Sequence, residues 1–329
     1  MATPSDVEPA AGGTPGGVPA AAAAPVPAPV PDRHRQGLAW AFAGVLLFSL
    51  SVPMTKVAVR GFDPFITASG RAVIAGVIAG VLLLVRRVPF PPRVHLTPIV
   101  FTMLGAVFGW PILLAFALQR TTSAHVAVIA AFMPLMTAVI AVLRTHERVS
   151  GQFWAAASAG TAALVAFALA RGGGTGADPV ADLLVVGAVI ASSWCYVEGA
   201  SVTAAMPGWQ VISWVVVLAL PVTVPATVVI AVLTHDTYSP GPAEWLSLAG
   251  LGVSSMYLGF FAWYRGLMLA GIARGGQVQQ LQALLTLVWS ALFLGETVTL
   301  AAVLAACAVI ASIVWAQKGR RPRVVAPEE

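Results

Sequence analysis

The sequence predicts an all-α membrane protein with ten transmembrane helices, arranged as two inverted five-helix repeats. Composition is the first reason, because 58% of the 329 residues are hydrophobic, only 9% are charged and the mean hydropathy is +0.87. A soluble domain carries about 25% charged residues, so this chain could not keep its surface hydrated. The second reason is a series of apolar segments long enough to cross the hydrocarbon, which takes about 20 residues. The third is a motif that occurs once in each half.

Two tails and two repeats make up the predicted domain organisation. Residues 1–36 are rich in Ala, Pro and Gly and cannot bury enough apolar surface to become ordered, so we expect a disordered cytoplasmic tail. The first repeat covers 37–170, the second covers 180–317, and a cytoplasmic tail with both basic and acidic residues covers 318–329. The predicted spans lie near residues 37–59, 64–85, 96–118, 122–143, 152–170, 180–202, 210–233, 244–264, 274–294 and 298–317.

The distribution of Lys and Arg predicts a multi-pass protein of the cell membrane with both termini in the cytoplasm. If the N-terminus is inside, all but five of the 18 Lys and Arg residues fall on the inner side. Such an excess marks the cytoplasmic face of a membrane protein. The outer side receives Lys56, Arg60, Arg71, Arg120 and Arg171.

The predicted partners are the lipid bilayer and a small-molecule substrate. The basic residues cluster at span ends and form no stripe with interleaved aromatic residues, so the net charge of +5 does not predict a nucleic-acid partner. Gly76–Gly80 and Gly105–Gly109 have the GxxxG spacing of closely packed membrane helices. Contacts within one chain are the favoured use of this spacing, so we expect a monomer and leave a dimer open.

A weak internal repeat relates the two halves. Residues 115–147 align with 264–296 at a constant shift and without a gap. The alignment pairs Glu147 with Glu296, and these residues begin the similar tetrapeptides ERVS and ETVT. Five spans per repeat is an odd number, so equivalent helices must cross the membrane in opposite directions. Inverted repeats of this kind recur in secondary transporters, with the substrate site near the midplane.

The repeated blocks are FALQRTTSAHVAVIAAFMPLMTAVIAVLRTHERVS and YRGLMLAGIARGGQVQQLQALLTLVWSALFLGETVT. They resemble the EamA-type repeats of the drug/metabolite transporter superfamily, as do FSLSVPMTK in the first span and YVEGA in the sixth. The resemblance implies a ten-helix carrier of small metabolites, often an exporter of amino acids, with a cavity lined by spans 1, 3, 4, 6, 8 and 9. The sequence departs at Ala283, where the second repeat often has a proline, and this leaves open whether the ninth span is kinked.

Glu198 is the acidic residue that lies well inside a predicted span. A carboxylate in hydrocarbon costs about 2.5–3.5 kcal/mol on insertion scales, so it normally faces a cavity or a partner. One hypothesis makes Glu198 a proton-coupling group or a counter-ion to an ammonium substrate. The alternative places it near the inner interface, where it meets water or Arg265.

Lys56 and Arg71 are the basic residues inside predicted spans. Their long side chains could reach the outer headgroups, or they could bind the carboxylate of a substrate. In the second case this pair and Glu198 could hold the two ends of a zwitterion in turn.

Four glutamines stand at the start of the ninth span. At 100° per residue, Gln277 and Gln280 share one face, and Gln279 and Gln282 share another. We expect Gln279 and Gln282 to line the cavity, while Gln277 and Gln280 bond to neighbouring helices.

Further candidates come from aromatic residues and prolines within the spans. Aromatic faces bind apolar groups and cations, but they also serve as packing or interface anchors. Prolines interrupt helices and free backbone carbonyl groups. The candidates for cavity walls are Trp110, Trp194, Trp263 and Tyr264, and the candidates for hinges are Pro53 and Pro134.

The sequence therefore predicts a secondary transporter that works by alternating access around a midplane cavity. An exporter of an amino-acid-like solute is favoured, and proton coupling is possible because a gradient must drive any uphill transport. Two alternatives remain: an integral membrane enzyme acting on lipid-linked substrates, and a non-transporting membrane scaffold. The chain has no motif for a catalytic nucleophile, a zinc protease or a nucleotide phosphate, so we expect no enzymatic activity, no metal and no cofactor.

Overall fold

The structure, a computed structural model, describes residues 31–118, 120, 129–146, 149–169, 178–234, 236–294 and 300–318. Every regular element in this part of the chain is helical. The first half contains α1 (Pro31–Ser49), α2 (Ser51–Ala58), α3 (Pro64–Val85), α4 (Arg93–Met103), a π-helical segment π1 (Leu104–Gly109), α5 (Trp110–Leu118), α6 (Met133–Thr145) and α7 (Gly151–Ala168).

The second half begins with α8, and it contains one further π segment and a 3₁₀ turn. Its elements are α8 (Pro179–Val202), α9 (Gly208–Thr234), α10 (Pro242–Gly250), the π segment π2 (Leu251–Leu258), α11 (Gly259–Ala270), α12 (Ile272–Gly276), a 3₁₀ turn (Gln277–Gln280), α13 (Leu281–Leu294) and α14 (Leu300–Lys318).

Six stretches of the described helices are long and apolar enough to cross a bilayer. Two shorter apolar helices, Met133–Thr145 and Val303–Lys318, accompany them. These findings confirm the all-helical membrane class, and the count of ten helices stays a prediction. The six stretches are Arg33–Thr55, Pro64–Val85, Arg93–Leu114, Pro179–Val202, Gly208–Thr234 and Pro242–Ala270.

Helix starts follow ordinary capping chemistry. Asp63 accepts a hydrogen bond from the backbone N–H of Phe65 at 2.7 Å ahead of α3. Ser150 caps α7 in the same manner through the N–H of Phe153 at 3.2 Å. These side chains satisfy backbone donors that have no partner inside the helix, so they fix where each helix begins.

Four predicted spans are not uniform α-helices. The first is interrupted at Leu50, three residues before Pro53, because a proline has no N–H to donate to the fourth residue before it. The third and eighth contain π1 and π2, and the ninth tightens into the 3₁₀ turn. The ninth span thus departs from α geometry ahead of Ala283, without a proline there.

Glycines set the close approach of α1 to α11. A Cβ added at Gly44 would lie 2.8 Å from the backbone nitrogen of Trp263, and one at Gly259 would lie 2.7 Å from the Phe48 ring. Only glycine allows the two backbones to approach so closely. This contact brings the aromatic residues of α1 and α11 together.

Helix α8 lies at the centre of the packing between the halves. It packs against α4, π1, α5 and α6 of the first half. Gly105 of π1 allows this contact, because a Cβ there would overlap the carbonyl oxygen of Ala191 in α8. Gly76 faces Leu220 of α9, so both GxxxG pairs contact helices of the same chain.

Candidate functional site

A buried group of four aromatic rings lies where α1, α8 and α11 meet. We call Phe48, Tyr196, Phe260 and Trp263 the aromatic cluster; all four are less than a tenth exposed. The rings of Tyr196 and Trp263 are 5.3 Å apart between centroids, and those of Phe48 and Phe260 are 5.0 Å apart, both edge to face. Edge-to-face pairs are favourable arrangements of aromatic rings, so the cluster is well packed.

Gln279 connects the 3₁₀ turn to the aromatic cluster. Its Nε2 donates to Tyr196 Oη at 3.3 Å and to Met133 Sδ at 3.0 Å. Its Oε1 is buried and finds no hydrogen-bond partner among the described residues, and the same holds for Trp263 Nε1. A buried polar atom without a partner costs about 1–3 kcal/mol. One acceptor and one donor are therefore without a partner among the described residues.

Arg71 of α3 is directed into the protein. Its Nη2 donates to Ser255 Oγ in π2 at 2.8 Å, and Ser255 is 1% exposed. Its Nε is buried and unpartnered within the described part of the chain, and no acidic side chain there pairs with it. The expectation that this side chain could extend to the outer headgroups does not describe the observed geometry.

Gln277 and Gln280 form contacts between helices. Gln280 Nε2 donates to Gln277 Oε1 at 2.7 Å, and Gln277 Nε2 donates to the carbonyl of Pro134 at 3.3 Å. Ser312 of α14 donates to Gln280 Oε1 at 3.2 Å. Residues three apart lie on the same side of a 3₁₀ turn, which explains why these two meet. Gln282 is half-buried in the first turn of α13.

Glu198 forms an ion pair that joins α8 to α6. Its Oε1 lies 2.6 Å from Arg144 Nε, and the Glu198 side chain is 2% exposed whereas that of Arg144 is 52% exposed. The partner is therefore Arg144 rather than the Arg265 considered from the sequence; the Arg265 guanidinium lies over the Trp40 ring, 5.3 Å from its centroid. In this conformation the negative charge of Glu198 is therefore paired with a basic residue of its own chain.

The other predicted residues are placed in different ways. Tyr264 is fully buried beside Phe260, and its hydroxyl lies 3.5 Å from the carbonyl oxygen of Cys195. Trp110 is half-buried against the core. Trp194 is 38% exposed and contacts Phe101, so the structure does not bring it to the aromatic cluster.

Lys56 belongs to α2, but its side chain is outside the described part of the structure. The two hinge candidates lie at helix interruptions. Pro53 follows the break at Leu50, and Pro134 lies in the first turn of α6. The carbonyl of Pro134 is the acceptor of Gln277, so this break is linked to the ninth span. Their role as hinges stays a prediction.

Sequence reasoning missed Phe48, Tyr196, Ser255 and Arg144. A signal existed for Tyr196, because the chain contains only four tyrosines and this one lies two residues before Glu198. Arg144 was counted as a topology signal, so its side chain was not considered as a partner.

A second ion pair joins the halves at the other end of α8. Arg120 Nη1 lies 3.5 Å from Asp178 Oδ2, with both side chains partly exposed. Asp178 accepts from the backbone N–H groups of Val180 and Ala181. The pKa of the Asp178 carboxyl is lowered most by the bond from Val180, and further by the bond from Ala181 and by Arg120.

Comparisons with known proteins identify relatives of this chain. The sequence model of the EamA-like transporter family matches residues 35–169 and again 179–316. The chain is 41% identical over 278 residues to an uncharacterized transporter, YdeK of Bacillus subtilis strain 168, covering 84% of this chain and 95% of that protein.

A more distant relative has a named substrate. Over 238 residues, 26% are identical to the aromatic amino acid exporter YddG of Ancylobacter novellus, covering 69% of this chain and 77% of that protein. A solved crystal structure of a protein matches with a TM-score of 0.71 at 19% identity, covering 86% of this chain and 98% of that one. That likeness concerns the fold alone.

Proposed function

The chain belongs to the EamA-like transporter family, and we propose that it is a secondary transporter that exports a small amino-acid-like solute. The solute would bind at the aromatic cluster and at Gln279, and cross by alternating access. The buried, unpartnered polar atoms beside the cluster are the observation that carries this proposal. Isolated buried polar groups are unfavourable, and a bound solute would supply their partners.

The aromatic cluster supports a solute with an apolar or aromatic side chain. Its rings provide edges and faces on which such a side chain packs, and Gln279 Oε1 provides an acceptor next to Tyr196. The name of the Ancylobacter relative, an aromatic amino acid exporter, agrees with this chemistry.

The proposed architecture is ten helices in two inverted five-helix repeats with both termini in the cytoplasm. It is supported by the two matches to one family model and by a π segment in the third predicted span of each half. Fusions of a reporter to each predicted loop would test it. Reporter activity on the wrong side for any loop would overturn the topology.

Transport is tested with the purified protein in proteoliposomes. We expect aromatic amino acids to raise its thermal stability, and radiolabelled tryptophan to exchange against tryptophan on the other side. Sugars, nucleosides and cationic drugs serve as comparison solutes. An absence of amino-acid exchange in well-folded protein would overturn the proposal, and hydrolysis or transfer on a lipid-linked substrate would favour the membrane enzyme instead.

Direction and coupling need separate measurements. If the protein is an exporter, its expression in cells that overproduce tryptophan should raise the external concentration and lower the internal one. If protons are coupled to transport, an imposed pH gradient should drive tryptophan uphill in proteoliposomes. Accumulation of tryptophan inside expressing cells would contradict the exporter assignment.

A further inference from the structure

We propose that Arg71 recognises the carboxylate of the transported solute, so that an anionic group on the solute is required and an ammonium group is not. This inference rests on the proposed transport function and identifies the part of the solute that decides selectivity.

The guanidinium of Arg71 has one edge that is partly free. Nε and Nη2 lie on the same edge of the group, and together they bind a carboxylate through two parallel hydrogen bonds. Nη2 is engaged by the neutral Ser255 hydroxyl, while Nε is buried without a partner in the described part of the chain. Of the two donors on the edge that suits a carboxylate, one is thus engaged, and its acceptor carries no charge.

The positive charge of Arg71 is unfavourable inside a membrane helix. An arginine inside a membrane helix costs about 2.5–3.5 kcal/mol on insertion scales, and no carboxylate of the described residues offsets it here. The hydrogen bond to Ser255 does not need a charge, because an amide N–H could donate it equally well. Ser255 also gives its own proton to the carbonyl of Leu251 at 3.1 Å, so the serine is bound without Arg71. The charge is therefore available to the solute.

Arg71 is held through Ser255 near the middle of a long helical run. Ser255 lies 13 residues into the helical run that begins at Pro242, about 20 Å along it at 1.5 Å per residue, so the guanidinium is held at membrane depth rather than at a helix end. Ser255, to which Arg71 donates, also lies five residues before Phe260 of the aromatic cluster on one continuous helical run. A solute with its carboxylate on Arg71 would direct its side chain towards those rings.

Glu198 differs from Arg71 in that it already has a partner of opposite charge. The buried acid is paired with Arg144 at 2.6 Å, whereas the part-buried Arg71 is paired with no acid among the described residues. Within the described part of the chain, the site thus has an available positive charge and, as its unpartnered acceptor, the neutral Gln279 oxygen. Such a site requires a carboxylate on the solute, whereas an amino group on the solute is favourable but not required.

Three indole compounds test this directly. Tryptophan carries both charged groups, indole-3-propionate lacks the ammonium group, and tryptamine lacks the carboxylate. We expect tryptophan and indole-3-propionate to compete for tryptophan exchange by the wild-type protein, and tryptamine to compete at least tenfold more weakly. In Arg71→Gln, the affinity for both acids should fall about tenfold or more, the size expected for a charged hydrogen bond.

Controls separate selectivity from folding. Arg71→Lys keeps the charge but loses the fork, so it should recover part of the affinity for both acids. Arg265→Gln removes an arginine that lies over Trp40, outside the proposed site, and should leave the ranking of the three compounds unchanged. If Arg71→Gln fails to fold, the ranking of the three compounds by the wild-type protein and the affinities of Arg71→Lys still test the inference.

Two results overturn the inference alone. One is a wild-type protein that exchanges tryptophan and binds tryptamine as tightly; the other is a folded Arg71→Gln with unchanged affinity for both acids. A wild-type protein that exchanges no amino acid would instead overturn the proposed function.

Discussion

The two halves of the chain can be compared at their π segments, because each segment interrupts the third predicted span of its half. π1 has the sequence LGAVFG and π2 has LGVSSMYL, so only π2 carries hydroxyl side chains. π1 uses Gly105 to approach α8, and the helix after π2 uses Gly259 to approach Phe48 of α1. The halves therefore share a way of packing, but the second adds polar and aromatic chemistry to it.

The residues around the site follow the same division. The second half contributes Tyr196, Ser255, Phe260, Trp263 and Gln279. At the positions of Gln279 and Gln280 the shift of the sequence repeat places Ala130 and Ala131 in the first half. A duplicated framework can thus keep its helix contacts while one copy acquires most of the groups that would face the proposed solute.

Disrupting the shared framework should have the largest effect on folding. Gly105→Leu and Gly259→Leu each place a side chain where even a Cβ overlaps a neighbouring residue, and overpacking costs about 1–3 kcal/mol or more. We expect loss of monodisperse protein in detergent for both variants. Gly80→Leu is the matched control, because a Cβ there lies 3.8 Å from Val217. If only one of the first two variants is damaged, the framework is not equivalent in the two halves.

The ion pair between the halves should have the next largest effect. Glu198→Gln is expected to keep expression and folding but to abolish transport or its dependence on pH. Arg144→Gln leaves a buried carboxylate unpaired, which costs about 3–5 kcal/mol for a fully buried pair and less here because Arg144 is half-exposed. Its melting temperature should fall, and Arg144→Gln/Glu198→Gln should recover it.

Flux measured in proteoliposomes between pH 6 and pH 8 distinguishes a proton-coupling role of Glu198 from a purely structural role. Unchanged flux in Glu198→Gln across this range would exclude a coupling role. If Glu198→Gln and Arg144→Gln lower the melting temperature equally, the ion pair between these residues is a structural contact.

The glutamines of the 3₁₀ turn should separate transport from stability. Gln279→Leu is expected to weaken tryptophan binding by about two- to tenfold, the range for one neutral hydrogen bond, with little change in melting temperature. Gln280→Leu breaks contacts to Gln277 and Ser312 and should reduce the stability by about 0.6 kcal/mol per bond, with binding unchanged. Equal effects of the two variants on binding would contradict the division of roles.

The smallest effect is expected at Asp178, at the exposed end of α8. The folded protein lowers the pKa of this carboxyl through the N–H groups of Val180 and Ala181 and through Arg120. Its contribution is therefore present above the unfolded pKa and is lost as the pH falls through the folded pKa. Melting temperatures of the wild type and Asp178→Asn should differ slightly at neutral pH and converge in acid. A difference that grows in acid would contradict this.

Hydropathy predicted the all-helical membrane class because long apolar runs have few alternatives in a membrane. It could not predict π1 and π2, because a π turn leaves the apolar character of the run unchanged. The pairing of Gln277 with Gln280 was predictable, since residues three apart are neighbours in both α and 3₁₀ geometry.

The partners of buried charges were less predictable. The sequence placed Glu198 inside a span, but its pairing with Arg144 depends on how α6 crosses α8. Likewise, only the packing of α3 on π2 brings Arg71 to Ser255. Charged residues inside spans can thus be found from the sequence, but their partners can be identified only once the arrangement of the helices is known.

A π turn holds one more residue than an α-helical turn, so the arrangement of the site depends on the length of the chain as well as on its side chains. Deleting one residue from π2 would let the segment close as an ordinary α-helix, and Phe260 and Trp263 should then still face Phe48 and Tyr196. Deleting one residue from the α-helical turn between Phe260 and Trp263 would instead rotate Trp263 by about 100° away from Tyr196. The second deletion should therefore weaken binding far more than the first, although both leave every side chain of the aromatic cluster in the chain.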